Sequence, residues 1–548
     1  MLSRYRDLSD GLRALMPSLH MGHSAYKWWV LGSVMVGTFM AVLDATIVNV
    51  SLAKIMGAFG VNVSDIEWVV TGYLLAFGVL LPSSGWLCNR FGCKRMYVAA
   101  LAAFTVGSGL CGLAWNEDIL VAFRILQGMG AGCLQPTAMT IVSLVFPPQE
   151  RGTALGIWTI AGGTSATLGP TIGGWLVENL GWRSIFYLNV PVGILGLVLV
   201  AVVLRETETQ PEARFDAPGF LAMATFLSSL LLALSEGNRE GWDSTYIRTC
   251  EAVAAVSFVV FLITELTVKA PVLNLRLFRD SSFTFANVLT FAFGLSLFGS
   301  TFLVPLFVQN MLHYTALQAG ILMLPGGIVM AVVSPMAGRL SDRLPVRWLI
   351  IPGLLILAWS MATNATYMRA PTNYWGLWGA IALRAVGMGL LMTPLMTAAL
   401  VHIGPRDMGV ASGLLNVIRQ LGGSFGVALF TNVLERRTLF HRAVLAESLP
   451  LTAQALHSSR PQGASAAARL VPALRGLATQ RGIPPASAAM AAGQMLSMLI
   501  GRNATISAYR DCFGVAMWLA LLAVPFALFL PDRKGAPGAA REGAGERG

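Results

Sequence analysis

Residues 82–90 read Pro82-Ser83-Ser84-Gly85-Trp86-Leu87-Cys88-Asn89-Arg90, and residues 335–343 read Pro335-Met336-Ala337-Gly338-Arg339-Leu340-Ser341-Asp342-Arg343. Both fit P-x-x-G-x-L-x-x-R at a separation of about 250 residues, and self-similarity of this kind marks a duplicated architecture. Each copy closes a long apolar run and leads into a short basic turn. Other marks recur in the same order. Arg124, Gly128 and Gly130 are echoed by Arg384, Gly387 and Gly389, and Gly152-Thr153-Ala154-Leu155-Gly156 by Gly409-Val410-Ala411-Ser412-Gly413. A parallel duplication of a bundle of membrane helices is the simplest account.

The bulk composition agrees. The chain has 548 residues, 55% hydrophobic and 12% charged, with a mean hydropathy of +0.65. A soluble domain carries roughly 25% charged residues, so lipid must be the solvent for most of this surface. The net charge of +11 is spread over short turns between apolar runs, where basic residues orient spans; it forms no patch for nucleic acid. The six cysteines lie in or beside apolar runs without a C-x-x-C pair, as small buried hydrophobes do. The six histidines are scattered, with only His20 and His23 close together, so no metal is expected. No G-x-x-x-x-G-K-[ST] stretch offers a phosphate cradle, and no cofactor is expected. The polar arm at 1–27 lacks the apolar core of a cleavable signal, so the first span reads as a retained anchor.

Runs of about twenty apolar residues give about fourteen spans. They lie near 28–53, 66–87, 96–115, 119–146, 153–177, 184–204, 218–235, 247–268, 283–308, 316–337, 348–367, 375–401, 409–434 and 507–530. The expected fold is an all-α integral membrane protein of two pseudo-repeated six-helix halves, 28–204 and 283–530. A linker, 205–282, carries an inserted two-helix hairpin. Arg90, Lys94, Arg95, Arg151, Arg205, Arg276, Arg339, Arg347 and Arg406 fall on one side with both termini, which the positive-inside rule places in the cytoplasm. A long outer loop is expected at 435–505, its stretch 486–500 able to extend the last span as helix, and a disordered tail at 531–548.

Several separate stretches resemble the major facilitator superfamily, and within it the drug:proton antiporter-2 family of fourteen-span exporters. Leu43–Val50 is similar to L-D-x-T-I-V-N-V, and the loop after span two is similar to G-x-L-x-D-R-x-G-R-[KR]. Phe123–Gly132 resembles R-x-x-Q-G-x-G-A, and Gly169–Gly174 resembles the G-P-x-x-G-G motif associated with exporters. Trp182-Arg183, Asn189–Gly193 and Arg419–Gly423 also match. Asn89 stands where the pattern has Asp, Cys93 where it has Arg, and Ala53 where it has Pro.

Asp44 is the sharpest functional candidate. An ionised carboxylate at the centre of an apolar span costs about 2.5–3.5 kcal/mol on insertion scales, so it should face a cavity or a cation, and burial favours its protonated form. Those are the properties of a proton carrier; a permanent structural ion pair is the alternative. Arg124 is the expected partner, able to bias the carboxylate but not to release a proton itself, or else an architectural clamp. Ser165, Gly169 and Gly173 clear one face of span five, Pro170 should bend it, and Gly174 completes the motif. Ser412, Asn416 and Gln420 form a polar stripe with Arg419 beside it, lining a path or bonding another helix; Asn49, Gln127 and Gln135 are assigned to the same cavity. Gly85, Asn89 and Arg90 with Gly338, Asp342 and Arg343 are expected to form gating turns, Asp342 accepting from a facing helix N-terminus.

The resemblance implies a proton-coupled antiporter that exports drug-like amphipathic or cationic compounds by alternating access. An exporter dedicated to one metabolite, antibiotic or siderophore would share every motif. A channel is disfavoured, and an embedded enzyme lacks an intramembrane nucleophile or paired carboxylates. The partners implied are a small-molecule substrate, protons and the lipid of a bacterial inner membrane, with a periplasmic adaptor and an outer-membrane channel as further candidates.

Overall fold

The structure, a computed structural model, describes residues 23–61, 63–207, 209, 216–268, 273–368, 374–447, 473–477, 479–480 and 484–530. The expectations for the polar arm before residue 23, with His20, and for the tail at 531–548 lie outside the described residues. Everything regular among the described residues is helix.

The first half holds α1 (His23–Phe59), α2 (Val63–Leu80), α3 (Ser84–Phe91), α4 (Cys93–Leu113), α5 (Glu117–Val145), α6 (Arg151–Leu180), α7 (Ser184–Tyr187) and α8 (Asn189–Val203). The connecting hairpin is α9 (Ala217–Glu240) and α10 (Thr245–Thr267). The second half holds α11 (Ser281–Leu312), α12 (Ala316–Arg343), α13 (Arg347–Tyr367), α14 (Tyr374–Leu400), α15 (Met408–Glu447) and α16 (Pro485–Leu528). Among the described residues, twelve helices can cross a membrane by length and composition, or thirteen when α2 and α3 count as one bent span. The span expected at 153–177 is α6, 30 residues long but diluted by Gly and Thr and outside that number.

Two features differ from the linear reading. The span expected at 66–87 is broken: α2 and α3 meet at 54° around Leu81–Ser83. Pro82 cannot donate to the helix ladder, and the Ser84 hydroxyl takes the Leu81 carbonyl at 2.7 Å, drawing that acceptor away from a regular turn. The loop expected at 435–505 is also shorter, because α15 runs on to Glu447 and α16 starts at Pro485. Helices of 40 residues and 44 residues reach roughly 60–66 Å, about twice the thickness of a hydrocarbon core. They are clasped by Asp511 of α16, which accepts from Arg437 Nε at 2.5 Å and meets His441 Nε2 at 2.7 Å. The helical stretch expected at 486–500 is present within α16.

The inserted hairpin does not stand apart from the halves. Helix α9 packs on α2 and on α15, with a Cβ on Gly78 of α2 meeting Leu231 at 2.9 Å. Arg239 pairs with Glu67 of α2 at 2.5 Å, and the Asn238 amide donates to the Ala428 carbonyl of α15 at 3.5 Å.

Candidate functional site

Asp44 lies on α1 and is 1% exposed. Its Oδ2 accepts from Arg124 Nη1 at 2.5 Å, and its Oδ1 accepts from Gln127 Nε2 and Asn189 Nδ2, each at 2.9 Å. Arg124, also 1% exposed, donates further to Gln127 Oε1 at 2.7 Å and through Nε to the Val69 carbonyl at 3.1 Å. Its guanidinium carbon sits 4.0 Å from the Tyr73 ring centroid, a cation–π arrangement. Asn189 also donates to Ser108 Oγ at 3.1 Å, and Ser108 donates to the Phe186 carbonyl at 2.9 Å. Four long helices and the start of α8 thus converge on one carboxylate.

The local sequence explains the convergence. Arg124 and Gln127 are one turn apart and share a face of α5. Gly128 and Gly130 let α5 approach its neighbours: a Cβ on Gly128 would stand 2.5 Å from the Tyr73 carbonyl oxygen, and one on Gly130 would stand 2.6 Å from Phe104 N. The linear pattern gives Asn189 and Ser108 no functional role. Asn189 sits at the head of the apolar run 189–203, where a polar letter reads as a span boundary, and only its match to the family stretch marked it.

Helix α6 binds α1 along this site. The Trp158 indole donates to Thr38 Oγ1 at 3.0 Å. A Cβ on Gly169 would fall 2.0 Å from Thr46 Oγ1, and one on Gly173 would fall 2.7 Å from Ile47 Cγ1. The cleared face expected from Ser165, Gly169 and Gly173 therefore receives α1 within a turn of Asp44. Ser165 is buried and donates back to the Ala161 carbonyl at 2.6 Å. Gly174 has open space around it and takes no part in the contact. On the other side, α6 packs on α12 of the second half, where Pro170 and Thr171 face Gly320.

At the basic end of the bundle the two halves meet through the repeated stretch. Asp342 Oδ1 accepts from Gly152 N at 2.9 Å, and its Oδ2 accepts from Thr153 N at 2.8 Å and Thr153 Oγ1 at 2.7 Å, capping the first turn of α6. A Cβ on Gly338 would stand 2.1 Å from the Gly152 oxygen. In the other copy, a Cβ on Gly85 would stand 2.5 Å from Val410 N of α15, and Asn89 Nδ2 donates to the Arg406 carbonyl at 3.0 Å. This end is closed by two crossings related by the duplication. Arg90 and Arg343 occupy the last turns of α3 and α12, where cations suit the helix ends.

The residues assigned to one cavity separate into three places. Gln127 belongs to the Asp44 cluster. Gln135 crosses between the halves, accepting from Arg419 Nη2 at 3.0 Å, while Arg419 also donates to Asn416 Oδ1 at 2.7 Å. Asn49 is exposed and donates to the Ala45 carbonyl of its own helix, and Gln420 is half-buried. The assignment of all six to one cavity is thus corrected: helix periodicity places neighbours on a face but cannot say which helix that face meets. A small cavity is bounded by Thr290, Phe293, Met392, Met396, Asn416 and Arg419.

Residues 34–427 match the Major Facilitator Superfamily. This chain is a member of that superfamily. It is 33% identical over 419 residues to the multidrug transporter protein MdtP of Bacillus subtilis, covering 76% of this chain and 77% of that one. It is 36% identical over 400 residues to the methylenomycin A resistance protein of Streptomyces coelicolor, covering 73% and 84%. The solved structure of a double-tryptophan mutant of XylE superposes with a TM-score of 0.59 over 93% of this chain and 96% of that one, at 13% identity, a likeness of fold. The protein is accordingly a multi-pass membrane transporter and not an enzyme.

Proposed function

We propose that the protein is a proton-driven exporter of drug-like amphipathic compounds, an antiporter of fourteen spans working by alternating access in a bacterial plasma membrane. The basic end is the cytoplasmic one, because its short turns carry Arg90, Lys94, Arg95, Arg151 and Arg347. The count reaches fourteen when α6 is taken as a span and α2 with α3 as one. The names of the relatives, one a multidrug transporter and one an antibiotic resistance protein, support export of toxic compounds.

The observation that carries the proton reading is the cluster around Asp44. Breaking a buried ion pair costs about 3–5 kcal/mol when the remaining charge is left bare. Here Arg124 keeps Gln127 Oε1, the Val69 carbonyl and the Tyr73 face when Asp44 is neutralised. Protonation of Asp44 is therefore a change the cluster can absorb. Its consequence passes from α1 to α6 through Thr46 and Ile47, and from α6 to α12, whose Asp342 closes the basic end. In the cycle, substrate leaves outside, Asp44 takes a proton from that side, the protein opens inward, and the proton is released to the cytoplasm. A proton drives this exchange only through its different affinity for the two states.

Asp44→Asn tests the proposal. In vesicles with an imposed pH gradient the variant should retain substrate binding and lose gradient-driven transport, and undiminished transport would remove Asp44 from the mechanism. A susceptibility panel on cells with and without the gene, with an uncoupler as control, tests export itself. A dedicated exporter of one compound is the second reading, favoured by the likeness to a resistance protein named for a single antibiotic; it predicts one accepted compound in that panel.

A further inference from the structure

The duplication supplies a comparison of charge inside the two halves. Gly169 of α6 packs on Thr46 of α1, and Gly426 of α15 packs in the same way on Leu295 of α11. Two residues before each contact stand Asp44 in the first half and Phe293 in the second. Arg124 has its echo in Arg384, but α11 contains no Asp or Glu to answer it. Arg384 is 6% exposed, and its Nε and Nη1 are buried without a hydrogen-bond partner among the described residues. Arg419 of α15 is a further cation on the inner side of this half, beside the small cavity. Its Nη2 is used by Gln135 and Asn416, while its Nε and Nη1 have no partner among the described residues, and none of the carboxylates there pairs with it.

Unmet donors on a buried guanidinium, as on Arg384, are costly and invite a missing ion or ligand, whereas the half-buried Arg419 keeps two acceptors and has donors to spare. Arg419 lines the cavity between α11, α14 and α15, whose other walls are apolar or weakly polar: Phe293, Met392, Met396, Thr290 and Asn416. Arg384 lies on α14 about 12 Å along the axis from Met392, by the helical rise. Free guanidinium donors beside flexible apolar walls suit a molecule with one acidic group and a greasy body, because Arg matches a carboxylate in a two-pronged geometry.

We propose that the second half binds the anionic head group of an amphipathic carboxylic acid. Arg419 is its direct contact, and Arg384 is the buried positive charge that favours it from further along α14. The substrate carboxylate thus occupies the electrostatic role in the second half that Asp44 fills in the first. This rests on the transporter reading but not on proton coupling. It selects acids over the lipophilic cations that the sequence resemblance includes.

The test is equilibrium binding to the full-length purified protein in lipid nanodiscs, by microscale thermophoresis. Three naphthalene probes differ only at the end of a three-carbon arm: a carboxylate, its primary amide, or a trimethylammonium. The carboxylate should bind at least about tenfold more tightly than the amide, with the trimethylammonium weakest. Arg419→Gln should erase that preference, Arg384→Gln should reduce it about threefold, and Arg419→Lys should restore part of it. The wild-type ranking alone decides the main point, whether or not a variant folds. Tighter or equal binding of the trimethylammonium probe, no binding of any probe, or a carboxylate preference untouched by both Gln variants overturns the proposal. Binding of the carboxylate together with failure of proton-driven export would leave this inference standing and remove the coupling alone.

Discussion

At Pro82–Arg90 the chain bends by 54°, and its Asn89 amide donates to the Arg406 carbonyl of the other half. At Pro335–Arg343 helix α12 runs through unbroken and touches the other half through one carboxylate that takes three hydrogen bonds from Gly152 and Thr153. The same letters at the same spacing give a flexed, neutral crossing in one copy and a straight, charged one in the other. The bend goes with Ser84, whose hydroxyl donates to the Leu81 carbonyl, where the second copy has Ala337. The difference in charge follows from one position, Asn89 against Asp342. A duplication thus preserves the close approach of backbones, set by Gly85 and Gly338, and lets the strength of each latch diverge.

The largest expected effect is the one the copies share. Gly338→Ala and Gly85→Ala each place a methyl within 2.1 Å and 2.5 Å of opposing backbone, so each should cut transport at least about tenfold by preventing closure of the basic end. Spin-label distances across that end should lengthen in both. If either alanine is tolerated, the close approach is not what the duplication preserves.

Next comes the carboxylate. Asp342→Asn keeps one acceptor oxygen but turns an amide N–H₂ toward the donors on Thr153, and hydrogen bonds to a charged group contribute about 1.5–3 kcal/mol. The closed state should weaken by that amount, roughly 10- to 100-fold in its population ratio, read as faster labelling of a cysteine placed on the inner face. Asn89→Ala removes a single neutral bond and should weaken closure by under about 1 kcal/mol. Equal losses in the two variants would make the asymmetry incidental. The smallest effect belongs to Gly174→Ala, which meets open space. It should change thermal stability by less than about 0.5 kcal/mol, in contrast to Gly169→Ala, whose methyl would run into Thr46.

Most of the architecture was legible because membrane spans announce themselves as apolar runs and because the chain repeats its own landmarks. The meeting of Asp44 with Arg124 was legible too, as two opposite charges placed at similar depth. What the linear chain hides is which neighbour a face finds. Gln127 looks like a cavity residue until Asp44 is seen to claim it, and Asn189 looks like the edge of a span until its amide reaches across to the same carboxylate. The length of α15 was hidden for another reason. Past Leu434 its sequence turns charged, which reads as loop, yet Arg437 and His441 find Asp511 and the helix continues to Glu447. The bend at Pro82 was hidden because a proline in the other copy, at the matching place, does not break its helix.

Two contacts tie the connecting hairpin to both halves. Because α9 is held to α2 by Glu67 and to α15 by Asn238, the segment that links the halves also lies across the gap between them. Halves that tilt against each other, as proposed, must stretch or slip this strap on every turn. The Arg239–Glu67 and Asn238–Ala428 contacts are then the ones that such a tilt would have to lengthen or break.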